Sequence, residues 1–200
     1  MLLHAFVPAS RANGPGLRGV VYFRGCRLNC AGCWSLSTHA FAGPELAVRE
    51  LVNSVLEAHR RELLDGITFS GGEPMQQAGA LSEVMTELQR AAPVLSFGMF
   101  TGYTEPELAA GSYFTRETEA VEEKRALWQM IRGFLDFAVM GRYNQALPSA
   151  EPLRTSRNQK LVLFTHRYGE SDFGPQLVEI SIDGGGKATL TGFPVLGIPA

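Results

Sequence analysis

The chain has 200 residues, 45% of them hydrophobic and 19% charged, with a formal net charge of -2; a domain this size buries a core without cross-links. The acidic balance and the lack of a Lys/Arg-rich stripe exclude nucleic acid as an expected partner, and no apolar run approaches the ~20 residues of a membrane span. The N-terminal MLLHAFVPASRANGPG lacks a basic leader followed by a long apolar stretch, so the expected compartment is the cytoplasm, where thiols stay reduced.

The first predicted strand covers residues 17–24 (LRGVVYFR) and runs into a long loop that contains every cysteine of the chain. Pro44 and Glu45 are placed to open a helix reaching about residue 61, with Leu46, Val48, Leu51, Val52, Val55 and Leu56 as its buried stripe. Residues 66–70 (GITFS) form the next strand, left by the turn Gly71-Gly72-Glu73-Pro74, and residues 78–91 are helical. A third strand, 94–100, ends in Thr101-Gly102-Tyr103. A short helix follows from Thr104-Glu105-Pro106 and a longer one over 117–131. Strands over 134–140 and 160–164 flank an aperiodic loop, 142–157.

Helical stretches between short apolar strands indicate βα units and a mainly parallel sheet, with chemistry at the carboxyl ends of the strands. Both glycine turns and the cysteine loop fall at such ends. The pattern suits a partial barrel and an open doubly wound sheet equally. Residues 177–183, the run Gly184-Gly185-Gly186 and residues 187–191 read as a hairpin. The expected division is therefore a core over 1–165 and a hairpin extension over 166–200.

Cys26, Cys30 and Cys33 stand in a C-x3-C-x2-C pattern. In a reducing compartment, such a concentration reads as ligands or redox chemistry rather than disulfides. Three thiolates on one loop suit a [4Fe-4S] cluster whose fourth iron has no protein ligand and can bind a small molecule. Gly25 and Gly32 permit the tight curvature, and loop amides could donate to the sulfurs. A zinc site completed by His39 and three metal-free thiols are the alternatives. His4, His59 and His166 are too scattered to form a metal site, and the run from Glu119 to Arg125 suits a solvated helix face.

Together, Asn13-Gly14-Pro15-Gly16, VVYFRGCRLNCAGCW, FSGGEP (69–74), Thr101-Gly102-Tyr103, LDFAVMGRY (135–143) and RTSRNQKLV (154–162) resemble the radical S-adenosylmethionine enzymes. More narrowly they resemble the glycyl-radical-enzyme activases, in the manner of the activating protein of the anaerobic ribonucleoside-triphosphate reductase. Two positions depart from the usual pattern: Gly32 replaces an aromatic residue before the third cysteine, and Met140-Gly141 stands where the activases have Asp-Gly.

The resemblance implies an α/β partial (βα) barrel of five to six mainly parallel strands, ending here in a C-terminal β-hairpin. It implies that Cys26, Cys30 and Cys33 ligate a [4Fe-4S] cluster and that S-adenosylmethionine is bound at its open iron. Reductive cleavage then gives a 5'-deoxyadenosyl radical, which in the activases makes a glycyl radical on a partner enzyme. A low-potential donor of flavodoxin or ferredoxin type would supply the electron. Homodimerisation is compatible with the sequence but has no signature in it.

The expected cofactor-binding residues are Ser70, Gly71, Gly72, Glu73 and Pro74, with Glu73 or adjacent carbonyls accepting from the methionyl ammonium. Thr101, Tyr103, Asn158 and Gln159 are expected to flank the same ligand, and no catalytic residue is expected beyond the cluster ligands. Trp34 is expected either to shield the cluster loop or to join the core. A radical enzyme acting on a nucleoside- or purine-related small molecule and a zinc-stabilised interaction module are the competing functions.

Overall fold

Six strands enter one sheet in the order in which the chain makes them: β1 (Leu3–Ser10), β2 (Arg18–Phe23), β3 (Gly66–Gly71), β4 (Ser96–Thr101), β5 (Phe137–Met140) and β6 (Lys160–Leu163). The computed structural model describes residues 1–182, 184–186 and 188–193. The pairs from β2 through β5 are parallel, whereas β1 and β6 add antiparallel edges. A doubly wound sheet reverses its strand order part-way. This order never reverses, and the mixed sheet is that of an open, partial βα barrel.

The crossovers contain α1 (Val48–Glu62), α2 (Ala78–Ala91), α3 (Glu105–Ala109) and α4 (Val121–Phe134). Strand alternation gives the sheet two distinct faces. Val21, Phe23, Ile67, Phe69, Phe97, Met99, Ala138 and Met140 belong to the helix-covered core. In α2, Leu81, Val84, Met85 and Leu88 follow the i, i+3, i+4, i+7 spacing of a buried stripe, and each contributes roughly 1.5–3 kcal/mol by burial. The opposite parity places Tyr22, Ser70 and Phe100 on the other face, where Phe137 and Val139 build a second apolar cluster with Leu153, Phe173 and Phe193.

Arg18 closes that face at the amino ends of the strands. Its fully buried guanidinium donates to Thr68 Oγ1 and Ser96 Oγ at 2.7 Å, and to the carbonyls of Ile67 (2.8 Å), Ser96 (3.1 Å) and Pro15 (3.1 Å). The Phe137 ring lies 5.1 Å from its centre, and burial pushes its pKa down to about 10. This plug leaves the carboxyl ends of the strands as the open end of the barrel.

Several predicted boundaries differ. β1 has no counterpart in the sequence reading: Pro8 interrupts its pattern, which only an edge strand tolerates. Residues 44–46 do not begin α1, because Leu46 instead exchanges main-chain hydrogen bonds with Met1. The third strand starts at Ser96, leaving Val94 exposed. Phe134 ends α4 rather than opening β5, and Glu117 precedes α4. The loop over 142–157 contains no strand beyond a single bridge between Pro148 and Ser156.

The hairpin forms from β7 (Val178–Ile182) and β8 (Ala188–Gly192) as a separate two-stranded sheet. Asp183 and Lys187, predicted as the strand ends on either side of Gly184-Gly185-Gly186, lie outside the described residues, as do 194–200. It docks on the barrel through Glu179, which accepts from Ser10 Oγ and the Arg11 amide, and through Thr191, which meets Tyr22 and Asn13.

Candidate functional site

The cysteine loop leaves β2 at Arg24 and is held at its base by main-chain bonds. Gly25 donates to the Thr38 carbonyl at 2.6 Å and Cys26 to the His39 carbonyl at 3.0 Å. Behind it lies the turn after β3, where Gly72 donates to Phe23 O (2.8 Å) and Glu73 to Gly25 O (2.9 Å). A Cβ at Gly72 would stand 2.4 Å from the Gly25 oxygen, and one at Gly71 would stand 2.5 Å from the Phe23 oxygen. Only glycine permits this approach. Leu28 packs on Gly102, so the turn after β4 backs the same loop.

All three cysteines are unpaired and partly buried. Burial pushes the Cys26 thiol up to about 11 and raises that of Cys30. Buried thiols of this kind stay protonated until a cation replaces the proton. The main-chain amides of Leu28 and Asn29 beside Cys26, and of Tyr143 beside Cys30, work against this rise. For Cys33 the neighbour is His39 Nε2, at 3.3 Å. Asn29 adopts φ 49°, a left-handed conformation asparagine tolerates, within this turn.

Among the described residues, no three His, Cys, Asp or Glu side chains converge on the position of a single metal ion. A cubane is ligated at separate irons, so its thiolates need not meet at one point. Three soft, partly buried donors on one loop, with main-chain amides beside Cys26 and Cys30 and an imidazole beside Cys33, fit such a group in donor chemistry.

Glu73 is turned inward and is 1% exposed. It accepts from the Met75 amide (3.0 Å), Thr101 Oγ1 (2.8 Å) and the Gly102 amide (2.7 Å), which ties the ends of β3 and β4 together. Burial dominates and raises its carboxyl to about 7, against the pull of these donors. Tyr103 is also internal, its hydroxyl accepting from Gln76 Nε2 at 2.8 Å and the Phe114 amide at 3.2 Å. Pro74 is buried and begins a short 3-10 turn for which Glu73 is the cap.

A cleft of about 170 Å³ opens beside Cys33. Ser70 and Gln159 line it, as do Tyr22, Asn13, Phe100 and Phe193. Gln159 Nε2 donates to Gly141 O at 3.2 Å, while its Oε1 accepts from the amides of Thr155 (2.9 Å) and Ser156 (3.1 Å). Asn158 sits outside, donating to Arg142 O at 2.7 Å. The structure thus brings Ser70, Gln159 and Cys33 to one cleft. Gly71, Gly72, Glu73, Pro74, Thr101 and Tyr103 stand behind the loop as its support.

Trp34 is not a core residue; it is 42% exposed and stacks against Tyr143 at 5.4 Å. Tyr143 belongs to the 142–157 loop, which lies over the cysteines with Gln145 against Gly32. Tyr22 was legible in principle, since Arg18, Val20 and Tyr22 alternate onto one face. Nothing local announced Phe193, which reaches the cleft from the hairpin.

Residues 12–162 match the family described as the 4Fe-4S single cluster domain. The anaerobic ribonucleoside-triphosphate reductase-activating protein of Enterobacteria phage T4 is 24% identical over 156 residues, 77% of this chain and 88% of that protein. The protein of the same name from Vibrio cholerae is 28% identical over 172 residues, 82% of this chain and 99% of that one. The pyruvate formate-lyase-activating enzyme of Staphylococcus aureus is 34% identical over 91 residues, which cover 44% of this chain and 36% of the enzyme.

Proposed function

The chain belongs to the 4Fe-4S single cluster domain family, and from that premise we propose that it is a radical S-adenosylmethionine enzyme that activates a glycyl-radical protein. The observation that carries this reading is the loop of Cys26, Cys30 and Cys33 at the carboxyl end of β2, with main-chain amides beside the first two sulfurs and the His39 imidazole beside the third. When bound, a reduced [4Fe-4S] cluster supplies the electron that cleaves S-adenosylmethionine to methionine and a 5'-deoxyadenosyl radical.

The chain's own residues prepare the place for that step. The amides of Leu28, Asn29 and Tyr143 offset charge on the sulfurs, and Trp34 against Tyr143 limits water beside them. Ser70, Tyr22 and Gln159 offer polar groups to a bound ligand in the cleft. Glu73 is occupied by its three internal donors, so main-chain carbonyls at the Ser70 end of the 70–74 turn, rather than this carboxylate, would accept from the methionyl ammonium. Residues 1–165 form the working core, and the hairpin within 166–200 walls one side of the cleft through Gly192 and Phe193.

The relatives from the phage and from Vibrio cholerae carry the name of reductase-activating proteins, which supports a glycyl-radical enzyme as the partner; a low-potential flavodoxin- or ferredoxin-type protein would be the electron source. Among the described residues no helix is long and apolar enough to cross a membrane.

The test is anaerobic reconstitution with iron and sulfide, then reduction with S-adenosylmethionine, with and without a candidate glycyl-radical protein. Formation of 5'-deoxyadenosine and a glycyl radical signal on the partner is the expected result. The cleft walled by this chain's own hairpin favours a second reading, a small-molecule substrate, which cofactor cleavage without any protein radical would establish. A colourless protein that binds zinc and takes up no iron would leave an interaction module.

A further inference from the structure

We propose that His39 is a positioning residue for the cysteine loop, its imidazole giving the Cys33 sulfur the N–H donor that main-chain amides give to Cys26 and Cys30. This role rests on the cluster reading above. His39 meets the loop twice: its carbonyl accepts from the Cys26 amide at 3.0 Å, and its Nε2 lies 3.3 Å from Cys33 Sγ. One residue therefore spans the first and third cysteines. Its own place is fixed by the short 3-10 turn Leu36–Thr38, whose Leu36 carbonyl accepts from the His39 amide at 3.1 Å, and by the buried Thr38.

The distinction between the three sulfurs lies in what their donors are made of. Leu28, Asn29 and Tyr143 act through the main chain, which substitution does not remove. Among the described residues, His39 is the side chain at hydrogen-bond distance from a cysteine sulfur. The Nε2–H tautomer of a neutral ring suffices. An N–H donated to a ligating thiolate stabilises the more negative, reduced form and raises the reduction potential, and it also holds the ligand's orientation. In that tautomer the role differs from ligation: a ring nitrogen that donates its hydrogen to sulfur has no lone pair free for iron.

The experiment compares wild-type, His39→Ala and His39→Gln proteins, each reconstituted anaerobically. It reads the cluster's reduction potential by an EPR-monitored titration and iron retention against a chelator. His39→Ala is expected to shift the potential downward and weaken iron retention by about tenfold, and His39→Gln, which keeps an N–H donor, to recover part of both. Unchanged potential and retention in His39→Ala would overturn the proposal. Should His39→Ala not fold, wild-type protein labelled with heavy nitrogen at histidine decides the matter. A weak histidine hyperfine coupling on the reduced cluster supports a hydrogen bond, while no coupling, or the strong coupling of a ligating nitrogen, refutes it. Wild-type protein that takes up no iron at all overturns the cluster reading itself, and this role with it.

Discussion

Replacing Glu73 by glutamine should change how the stability of this protein depends on pH. The carboxyl is 1% exposed, and burial raises it to about 7 from an ordinary 4.5. Arg142 attracts it only through space, because that guanidinium is bonded to Glu107 at 2.9 Å. The folded protein therefore binds this proton more tightly than the unfolded chain does. The stabilisation is fully present below about pH 4.5, is lost as pH rises toward 7, and is absent above, a total of about 3 kcal/mol.

In Glu73→Gln that dependence disappears. It is replaced by a pH-independent loss of about 1–3 kcal/mol, since an amide NH2 now faces main-chain donors. Urea unfolding of both proteins, reduced and anaerobic, across about pH 5 to 8 reads the difference. Wild type should lose most of that ~3 kcal/mol relative to the variant as pH rises. A difference that stays constant with pH, or that grows in favour of wild type, would show that the carboxyl is ionised throughout and that its donors outweigh burial.

Alanine at any one of Cys26, Cys30 or Cys33 should abolish stable uptake of four irons per chain, as read by iron and sulfide analysis after reconstitution. Gly72→Ala drives a methyl toward the Gly25 carbonyl; a cost of about 1–3 kcal/mol in urea unfolding is expected, together with poorer iron uptake because the cysteine loop must shift. Arg18→Lys loses the fork that reaches from β2 to five acceptors on β3, β4 and the preceding loop, and a loss of at least about 2 kcal/mol should appear in the same assay. Glu179→Ala removes the acceptor for Ser10 and the Arg11 amide, so amide exchange in β7 and β8 should accelerate by about tenfold, one hydrogen-bond equivalent, while β2 to β5 keep their protection.

Much of the site's support could be read along the chain because it depends on local rules. The glycines of the 71–74 turn had to be glycines for a close approach, and the structure shows what approaches: the main chain of Phe23 and Gly25. The βα alternation over 66–140 is likewise present in the fold. Glu73 shows where local reasoning stops. Its place in the turn was legible, but the direction of its carboxylate depends on Thr101 and Gly102, nearly thirty residues on. Asn158 and Gln159 are neighbours in sequence, yet one lines the cleft and the other bonds to Arg142 outside it. β1 was missed because its pairing with β2, rather than its own pattern, makes it a strand.

The sequence alone determined the cysteine spacing on which the proposed chemistry rests, since three thiols within eight residues are a property of the covalent chain. It also determined the βα alternation, because hydrophobic period is local. Periodicity left a partial barrel and a doubly wound sheet equal; the family resemblance implied the barrel, and the tertiary structure bears it out through strand order, a relation among distant segments. Only the tertiary structure decided which sulfur meets His39, why Glu73 faces inward, and that the hairpin reaches the cleft. Those contacts follow from register and burial, which place side chains far apart in sequence within a few ångströms of one another and are fixed only when the whole sheet has closed around its core.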